Sequence, residues 1–170
     1  MILRLMTERD LPGVLAVQMG CYQPDYHEPE SAFRSKLSQC PDTCWVIERA
    51  SGGASGPVEA YLVSLPVAAG ALPALHQGDW RRPPHATSLY LHDLAVGPAL
   101  RGSGAAARLI EQASLGARQR GLSSLALVAV QGSVPFWQRH GFQDVSPTAP
   151  ERPASLHSFG PQATFMTRAS

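Results

Sequence analysis

The stretch that decides the fold is residues 89–112, LYLHDLAVGPALRGSGAAARLIEQ. It reads as an apolar strand, a bend at Pro98, an arginine, two closely spaced glycines and the start of an amphipathic helix. A glycine-rich turn that leads from a strand into a helix presents backbone N–H groups at the positive end of the helix dipole. The stretch therefore predicts a binding site for a phosphate-bearing compound.

Two nucleotide-binding motifs resemble this turn, and the sequence argues against both. Gly97 and Gly102 have P-loop spacing, but Ser103 stands where a P-loop requires lysine. The dinucleotide fingerprint G-x-G-x-x-[GA] matches Gly102, Gly104 and Ala107. That motif also needs an acidic residue about twenty residues later, at the end of the next strand. The next strand ends in VAVQG and supplies none.

A pyrophosphate-binding turn of the acetyl-CoA type fits better. The pattern Arg101-x-x-Gly104-x-Ala106 places small residues where backbone N–H groups must approach phosphate oxygens. A larger side chain there would hold the ligand away. Arg101 can add charge-assisted hydrogen bonds. We name residues 101–106 the glycine turn, and expect the pyrophosphate to contact all of it: Arg101, Gly102, Ser103, Gly104, Ala105 and Ala106.

The rest of the chain predicts strands interleaved with helices around one mixed sheet. Strands are expected at residues 2–7, 44–50, 58–67, 89–96, 124–130 and 163–168. Helices are expected at residues 8–22, 30–40, 104–120 and 133–142. Residues 51–56, SGGASG, predict a hairpin turn between two of the strands.

Helical spacing also predicts which side chains are buried. Thr7 is expected to cap the first helix, with Asp10 three residues later. The first helix should bury Leu11, Val14, Leu15 and Met19, and the second Phe33 and Leu37. The helix after the glycine turn should bury Ala106, Leu109, Ile110, Ala113 and Ala117.

With these elements in place, the chain resembles the GNAT superfamily of acetyl-CoA-dependent N-acetyltransferases. The resemblance rests on a strand ending in LAV, the glycine turn, the apolar strand SLALVAV and the segment FWQRHGF. It extends over residues 2–168, and HDLAV and VPFWQRHGF are most similar to the aralkylamine N-acetyltransferase branch. It implies one α/β (α+β) domain over residues 1–170. Such a domain has a mixed, mostly antiparallel sheet of about seven strands, flanking helices and splayed central parallel strands.

The resemblance also implies how the co-substrate acetyl-CoA is held. Its pantetheine amides would pair with the backbone of Leu94, Ala95 and Val96, and one N–H there would polarise the thioester carbonyl. Gln131 stands near the position where many relatives use an asparagine against the cofactor. Phe136 is expected in the core and Trp137 against the acetyl group. No metal is implied.

His92 is the residue we expect to act as general base. An amine with a lysine-like pKa of ~10.4 is protonated at neutral pH, whereas a histidine with a pKa near ~6.5 can accept its proton. His92 matches a catalytic histidine position of the aralkylamine branch, and Tyr90 stands where that branch has a second histidine. Asp93, the second candidate, should point to the opposite face of a regular strand, unless a bulge reverses it.

Trp137 departs from the family pattern, since a tyrosine usually stands there and protonates the departing thiolate. Indole cannot do so. A departing thiolate whose thiol has a pKa near ~8.5 can instead take its proton from water. Tyr61 and Tyr90 are alternative acids. A non-catalytic acetyl-CoA-binding sensor or partner module therefore stays open as a second interpretation.

The acceptor is expected to be a small primary amine, with a protein N-terminus or lysine as the alternative. Residues 66–87 form a long proline-rich loop, interpreted either as a substrate lid or as a surface insertion. Within it, Trp80, Arg81 and Arg82 would favour an aromatic or anionic acceptor, and Asp79 argues against a polycation.

Composition and charge narrow the expected partners, the cellular compartment and the state of the cysteines. A formal charge of +1 gives no reason to expect nucleic acid or an anionic membrane as a partner. Absence of a signal-like start and of a long apolar run favours the cytoplasm. Cys40 and Cys44, with Cys21 and His27, are too loosely spaced for a convincing zinc site, so three reduced thiols are expected. A homodimer is an open expectation from the family alone.

Overall fold

The computed structural model describes residues 1–49, 56–147 and 153–170, so most of the hairpin turn predicted at 51–56 lies outside the described residues. Within them, seven strands form one sheet in the order β1-β2-β3-β4-β5-β7-β6. β4 and β5 pair in parallel and the other neighbours antiparallel. The strands are β1 (Ile2–Leu5), β2 (Cys44–Glu48), β3 (Val58–Val67), β4 (Ser88–Val96), β5 (Ser124–Ala129), β6 (Gln143–Asp144) and β7 (Thr164–Ala169). The expected mixed, mostly antiparallel sheet is confirmed.

Helices cover both faces of the sheet, because alternate strand residues are apolar on each side. Trp45 and Ile47 of β2 pack towards one helical layer, and Val46 packs towards the other. The first layer contains α3 (Ala105–Gln119) and α4 (Val134–Arg139), and the second contains α1 (Leu11–Cys21) and α2 (Glu30–Gln39). A short α5 (Ala154–His157) precedes β7.

The parallel strands β4 and β5 separate towards their C-terminal ends. Their pairing runs from Ser88 with Ser124 to Leu91 with Leu127 and then stops. β4 nevertheless continues to Val96, still paired with β3. The open edge of β4, residues 92–96, therefore faces a gap instead of a neighbouring strand, as the splayed arrangement predicts.

A β-bulge in β4 lies where this separation begins. Val63 of β3 pairs with Asp93, but Ser64 pairs with Leu91, so His92 is the extra residue. A bulge breaks the alternation of side chains between the two faces of a strand. His92 and Asp93 consequently both contact groups on the α1 and α2 side, through Glu28 and Tyr61 respectively. The expectation from a regular strand, that Asp93 points the other way, is therefore wrong.

Three other local predictions are corrected. The first helix opens with a 3₁₀ turn and becomes α-helical at Leu11, and its buried face contains Val17 and Gln18 in place of Met19, which is 66% exposed. Ala106 lies beside the buried stripe of α3, which contains Ala105 instead. The long loop spans 68–87, because Pro66 and Val67 pair with β4. The strand β6 and the helix α5 carried too little periodic signal to be predicted.

Both capping residues at the first helix behave as expected, since the Thr7 amide donates to the Asp10 carboxylate at 2.7 Å. Across the described ranges, no helix combines the length and apolarity needed to cross a membrane.

Candidate active site

Two adjoining cavities lie where β4 and β5 separate. The central cavity, of about 330 Å³, is lined by residues 91–96 of β4, the end of β5 and the segment after α1. The turn cavity, of about 400 Å³, lies against the glycine turn and the start of α3. The two form one groove, because they share the lining residues Leu94, Val96, Arg101 and Phe136.

The glycine turn has the backbone geometry that an anion site needs. Gly102 and Gly104 adopt φ of +74° and +83°, which L side chains rarely adopt, and a Cβ at either would meet no atom within 4 Å. The Arg108 amide donates to the Gly104 carbonyl at 3.1 Å, so the amides of 105–107 precede the first bond of α3 and point outwards. Ser103 is outside the cavity lining, and its hydroxyl donates to the Leu100 carbonyl at 2.6 Å.

Two side chains from the end of α1 contact the open edge of β4. The Tyr22 hydroxyl donates to the Leu94 carbonyl at 2.6 Å, and the Cys21 thiol donates to the Val96 carbonyl at 3.3 Å. Burial, together with the nearby Asp93 carboxylate, raises the pKa of Tyr22 well above its usual value. Tyr22 is therefore a neutral hydroxyl on the wall of the central cavity.

His92 lies at the centre of a buried polar chain. Its Nε2 is 2.6 Å from Glu28 Oε1, and Glu28 Oε2 accepts a hydrogen bond from Lys36 Nζ at 2.9 Å. The other ring nitrogen, Nδ1, is buried and has no hydrogen-bond partner in the described part of the chain. Burial acts to raise the pKa of Glu28, but His92 and Lys36 outweigh it and lower that pKa to about 2.

Asp93 also lines the central cavity. Its Oδ2 accepts a hydrogen bond from the Tyr61 hydroxyl at 2.7 Å, whereas Oδ1 is buried and unpartnered among the described residues. Burial raises the pKa of Asp93 to about 6, against the opposing hydrogen bond from Tyr61. The carboxyl thus titrates close to neutral pH.

Tyr90 lies beneath the site and outside the cavity lining. Its ring is 5.9 Å from that of His92, and its hydroxyl is fully buried without a partner in the described residues. Burial raises the pKa of Tyr90 far above its usual value. Tyr61, the other alternative acid, already donates its proton towards Asp93.

The aromatic pair on α4 departs from the prediction at Phe136, whereas Trp137 lines the central cavity. Trp137 is 8% exposed, belongs to the core and packs edge-on against Phe142 at 5.4 Å, although its edge reaches the central cavity. Phe136 is only half-buried and lines both cavities. Phe136 is therefore not fully in the core as expected, because it packs at the edge of the core cluster and lines the groove.

The far side of the central cavity is closed by segments distant in sequence. The Leu75 amide donates to Ser158 Oγ at 3.0 Å, and Leu75 packs on the cluster that contains Phe159. The Tyr26 hydroxyl donates to the Phe159 carbonyl at 3.3 Å, and Gln131 Oε1 accepts the Gln23 amide at 3.4 Å. These contacts place the 68–87 loop and the α5 region against the cavity.

The loop residues singled out from the sequence lie elsewhere. Trp80 is buried in the α1 and α2 layer, and Arg82 pairs with Asp42 at 3.1 Å. Trp80 and Arg81 line a separate shallow cavity. The loop reaches the central cavity through Leu75, which no sequence pattern distinguishes.

Several cavity residues had no signal in the sequence. Glu28 is a single acidic residue ahead of α2, and Tyr22 and Tyr26 belong to an irregular segment, so neither spacing nor motif marks them. The sequence distinguishes Cys21 only as one of three thiols. All three cysteines are free, with Cys40 and Cys44 buried in the core.

Comparison with known proteins agrees with this geometry. The family model for the acetyltransferase (GNAT) family matches residues 11–142, most of the chain. The protein therefore belongs to the GNAT acetyltransferase family, whose members are acyl-CoA-dependent N-acetyltransferases. A search of curated protein sequences finds no significant match.

Solved structures show the same fold at low sequence identity. A GphF GNAT-like decarboxylase in complex with isobutyryl-CoA is 18% identical, with a TM-score of 0.77 and 99% of each chain covered. The loading GNATL domain of CurA from Lyngbya majuscula is 13% identical, with a TM-score of 0.78, covering 99% of this chain and 96% of that one. The ribosomal-protein-S18-alanine N-acetyltransferase from Escherichia coli is 14% identical, with a TM-score of 0.66, covering 99% and 92%. The likeness to the aralkylamine branch stays a prediction.

Proposed function

We propose that this chain, as one domain, transfers the acetyl group of acetyl-CoA to the primary amine of a small molecule, by direct attack when both substrates are bound. One observation carries the proposal. His92 Nδ1 and Asp93 Oδ1 are both buried, both lack a partner in the described residues, and their residues line the same cavity. Buried polar atoms are normally hydrogen-bonded, and an ammonium group has the donors that two such acceptors need.

The other end of the groove fits a coenzyme A group. The outward amides of 105–107 and the positive φ of Gly102 and Gly104 suit a pyrophosphate, with Arg101 on the groove wall. The open edge of β4 at 92–96 offers backbone groups to an extended pantetheine arm. Acetyl-CoA supplies the thioester. The chain supplies the backbone donors that would hold the thioester carbonyl.

His92 is proposed as the general base. One proton of the acceptor ammonium moves to His92, which leaves a neutral amine whose lone pair attacks the thioester carbonyl carbon and forms the C–N bond. The tetrahedral intermediate then loses the second N–H proton to water, and its C–S bond breaks to release the coenzyme A thiolate. The negative Asp93 carboxylate would attract the ammonium and hold it beside His92. Asp93 itself, with a pKa of about 6, is the second candidate for the base.

The thiolate leaving group is proposed to take its proton from water. Trp137 has no acidic proton, and Tyr61 and Tyr90 are both buried, with the hydroxyl of Tyr61 committed to Asp93. A thiol of ordinary pKa leaves without a dedicated acid. Tyr22 lines the cavity, and its hydroxyl is committed to the Leu94 carbonyl at the open edge of β4.

A small acceptor is favoured over a protein N-terminus. The contacts of Leu75 with Ser158 and of Tyr26 with Phe159 bring the 68–87 loop and the α5 region against the central cavity and limit the room beside it. The walls there are mainly apolar, formed by Leu75, Val128, Val130 and Phe159. An amine with a compact, uncharged body fits such walls better than a polyamine or a peptide.

The proposal is tested by mass-spectrometric detection of acetylated product. The protein is incubated with acetyl-CoA or isobutyryl-CoA and a panel of arylalkylamines, aliphatic amines, polyamines, amino acids and short peptides. We expect acetylation of one class of small monoamine, lost in His92→Ala. Binding of acetyl-CoA with no product from any amine would favour the non-catalytic module, and absence of binding would overturn the proposal.

A further inference from the structure

The groups that contact His92 belong to a buried chain with two full charges. Lys36 Nζ lies 2.9 Å from Glu28 Oε2, and Glu28 Oε1 lies 2.6 Å from His92 Nε2. None of the three side chains is more than 2% exposed. Burying an ion pair adds little to folding stability, because desolvation offsets the attraction. Glu28 lines the central cavity and contacts His92, which lines it as well, so the position of this pair points to a role in the site.

Glu28 is held rigidly at its backbone as well as at its carboxylate. Its amide donates to Gln18 Oε1 at 2.9 Å, and Gln18 Nε2 donates to the Glu28 carbonyl at 3.0 Å. Gln18 lies on α1 and is buried. Glu28 is thus held by three elements, with α1 bonding its backbone and α2 and β4 bonding its carboxylate, which orients the carboxylate towards the His92 ring.

This contact determines which nitrogen of His92 carries its proton. The Lys36 ammonium, 2.9 Å from Glu28 Oε2, keeps the carboxylate ionised when the His92 ring is neutral, and the contacts with His92 and Lys36 together lower the pKa of Glu28 to about 2 against the effect of burial. An ionised carboxylate only accepts hydrogen bonds. His92 must therefore donate from Nε2, and the neutral ring then has its lone pair on Nδ1.

The geometry points to Glu28 and Lys36 as positioning residues for the reaction proposed above. Glu28 keeps the proton of His92 on Nε2, so that Nδ1 accepts the proton of the acceptor ammonium, and Lys36 balances the charge of Glu28. In this step one N–H bond of the ammonium breaks and the Nδ1–H bond forms. The resulting imidazolium, stabilised by Glu28, returns the proton to solvent after the product leaves.

Other groups that face His92 must be separated from this effect. Tyr90 on β4, Tyr61 on β3 and Tyr22 at the end of α1 stay neutral, because burial raises the pKa of each far above neutrality. Asp93, whose pKa is about 6, is the neighbour that titrates in the same range. Each pH profile is therefore measured in the wild type and in an Asp93→Asn background.

Two variants test the proposal by shifting the pH profile in opposite directions. The double variant Glu28→Gln, Lys36→Met leaves no buried unpaired charge, and removes the carboxylate that favours the imidazolium. We expect the acidic limb of kcat/KM to move to lower pH, with kcat reduced roughly tenfold or more and KM for acetyl-CoA unchanged. Lys36→Met alone leaves Glu28 unbalanced, so the acidic limb should move to higher pH.

A matched control and a spectroscopic readout separate positioning from structural damage. Glu30→Gln removes an exposed carboxylate of α2 that pairs with Arg34, and should leave the profile in place. Long-range ¹H–¹⁵N spectra of the six histidines, with His92 assigned by its loss in His92→Ala, report the tautomer without any turnover. We expect the Nε2–H tautomer in the wild type and a mixture in the double variant.

The outcomes distinguish this proposal from the proposed function. An Nδ1–H tautomer of His92 in the wild type would overturn the positioning role even if amines are acetylated. So would acidic limbs of the kcat/KM profile that shift in the same direction in the double variant and in Lys36→Met. The expected tautomer and its loss in the double variant, without any acetylated product, would support the arrangement around His92 while overturning the acetyltransferase proposal.

Discussion

The two ends of the groove differ in the kind of group that forms them. The proposed coenzyme end consists mainly of backbone, the amides of 105–107 and the open edge of β4, and comes from one continuous stretch of chain. The proposed acceptor end consists of side chains brought together from Tyr22 to Phe159. A backbone site needs only small residues and a turn, whereas a side-chain site depends on tertiary packing. Substitutions should therefore separate the two ends.

The largest effect is expected at the acceptor end. His92→Ala removes the proposed base, so kcat should fall roughly 10²-fold or more, because a positioned base contributes at least that much. Acetyl-CoA affinity should stay nearly constant, since the backbone end is untouched. Steady-state kinetics and calorimetric titration measure the two quantities. His85→Ala, at an exposed histidine, is the control, and unchanged turnover across the pH range in His92→Ala would remove His92 from the mechanism.

A stability experiment tests the same end without substrate. The pKa of Asp93 is raised to about 6, so the folded state holds this proton more tightly than the unfolded state does. Asp93 therefore costs stability progressively as pH rises from about 4 to above 6. Asp93→Asn removes this cost, and should gain on the order of 2–3 kcal/mol over the wild type between pH 4 and pH 7.

Urea unfolding at several pH values measures this difference, with the exposed Asp79→Asn as the matched control. Wild-type and Asp93→Asn stability curves that run parallel with pH would contradict a raised pKa at Asp93.

Acetyl-CoA binding at the proposed coenzyme end should be sensitive to a larger side chain in the glycine turn. Ala106→Leu places a larger side chain on the wall of the turn cavity, and should weaken acetyl-CoA binding about tenfold, while kcat at saturation is retained. Ala99→Leu, at an exposed position of the 3₁₀ turn outside the cavity lining, makes the same change nearby. Equal affinities in the two variants would argue against the glycine turn as the pyrophosphate site.

The smallest effect is expected at Trp137, which lines the central cavity only and is otherwise part of the core. Trp137→Phe keeps an aromatic ring in the core and removes the indole N–H. Turnover should change less than about tenfold, below the roughly 10²-fold cost of losing a general acid. Kinetics with the best amine of the panel provide the test. Trp137→Tyr is measured beside it, because a tyrosine usually stands at this position in the family. A much larger loss in Trp137→Phe would assign the indole N–H a direct part in the reaction.

The same contrast explains how much could be predicted from sequence. The sheet, the helix after the glycine turn and the coenzyme end depend on periodicity and on small residues at fixed spacing, which the stretch 89–112 carries in full. Glu28 is 64 residues from His92 in sequence, and no local pattern links the two. The bulge at His92 is equally hidden, because the letters LHD look like any regular strand. The half-buried position of Phe136 at the edge of the core also depends on how α4 packs, which no local pattern indicates.

The gap beside β4 also gives the protein an internal reporter of occupancy. Backbone amides at 92–96 that face the gap have no strand partner on that side, whereas those at 88–91 are paired with β5. Deuterium should enter the first group quickly in the free protein and slowly once an extended ligand lies along the strand. Exchange mass spectrometry on a peptide from this segment would then rank candidate acyl-CoA ligands by how far they protect it, before any acceptor is known.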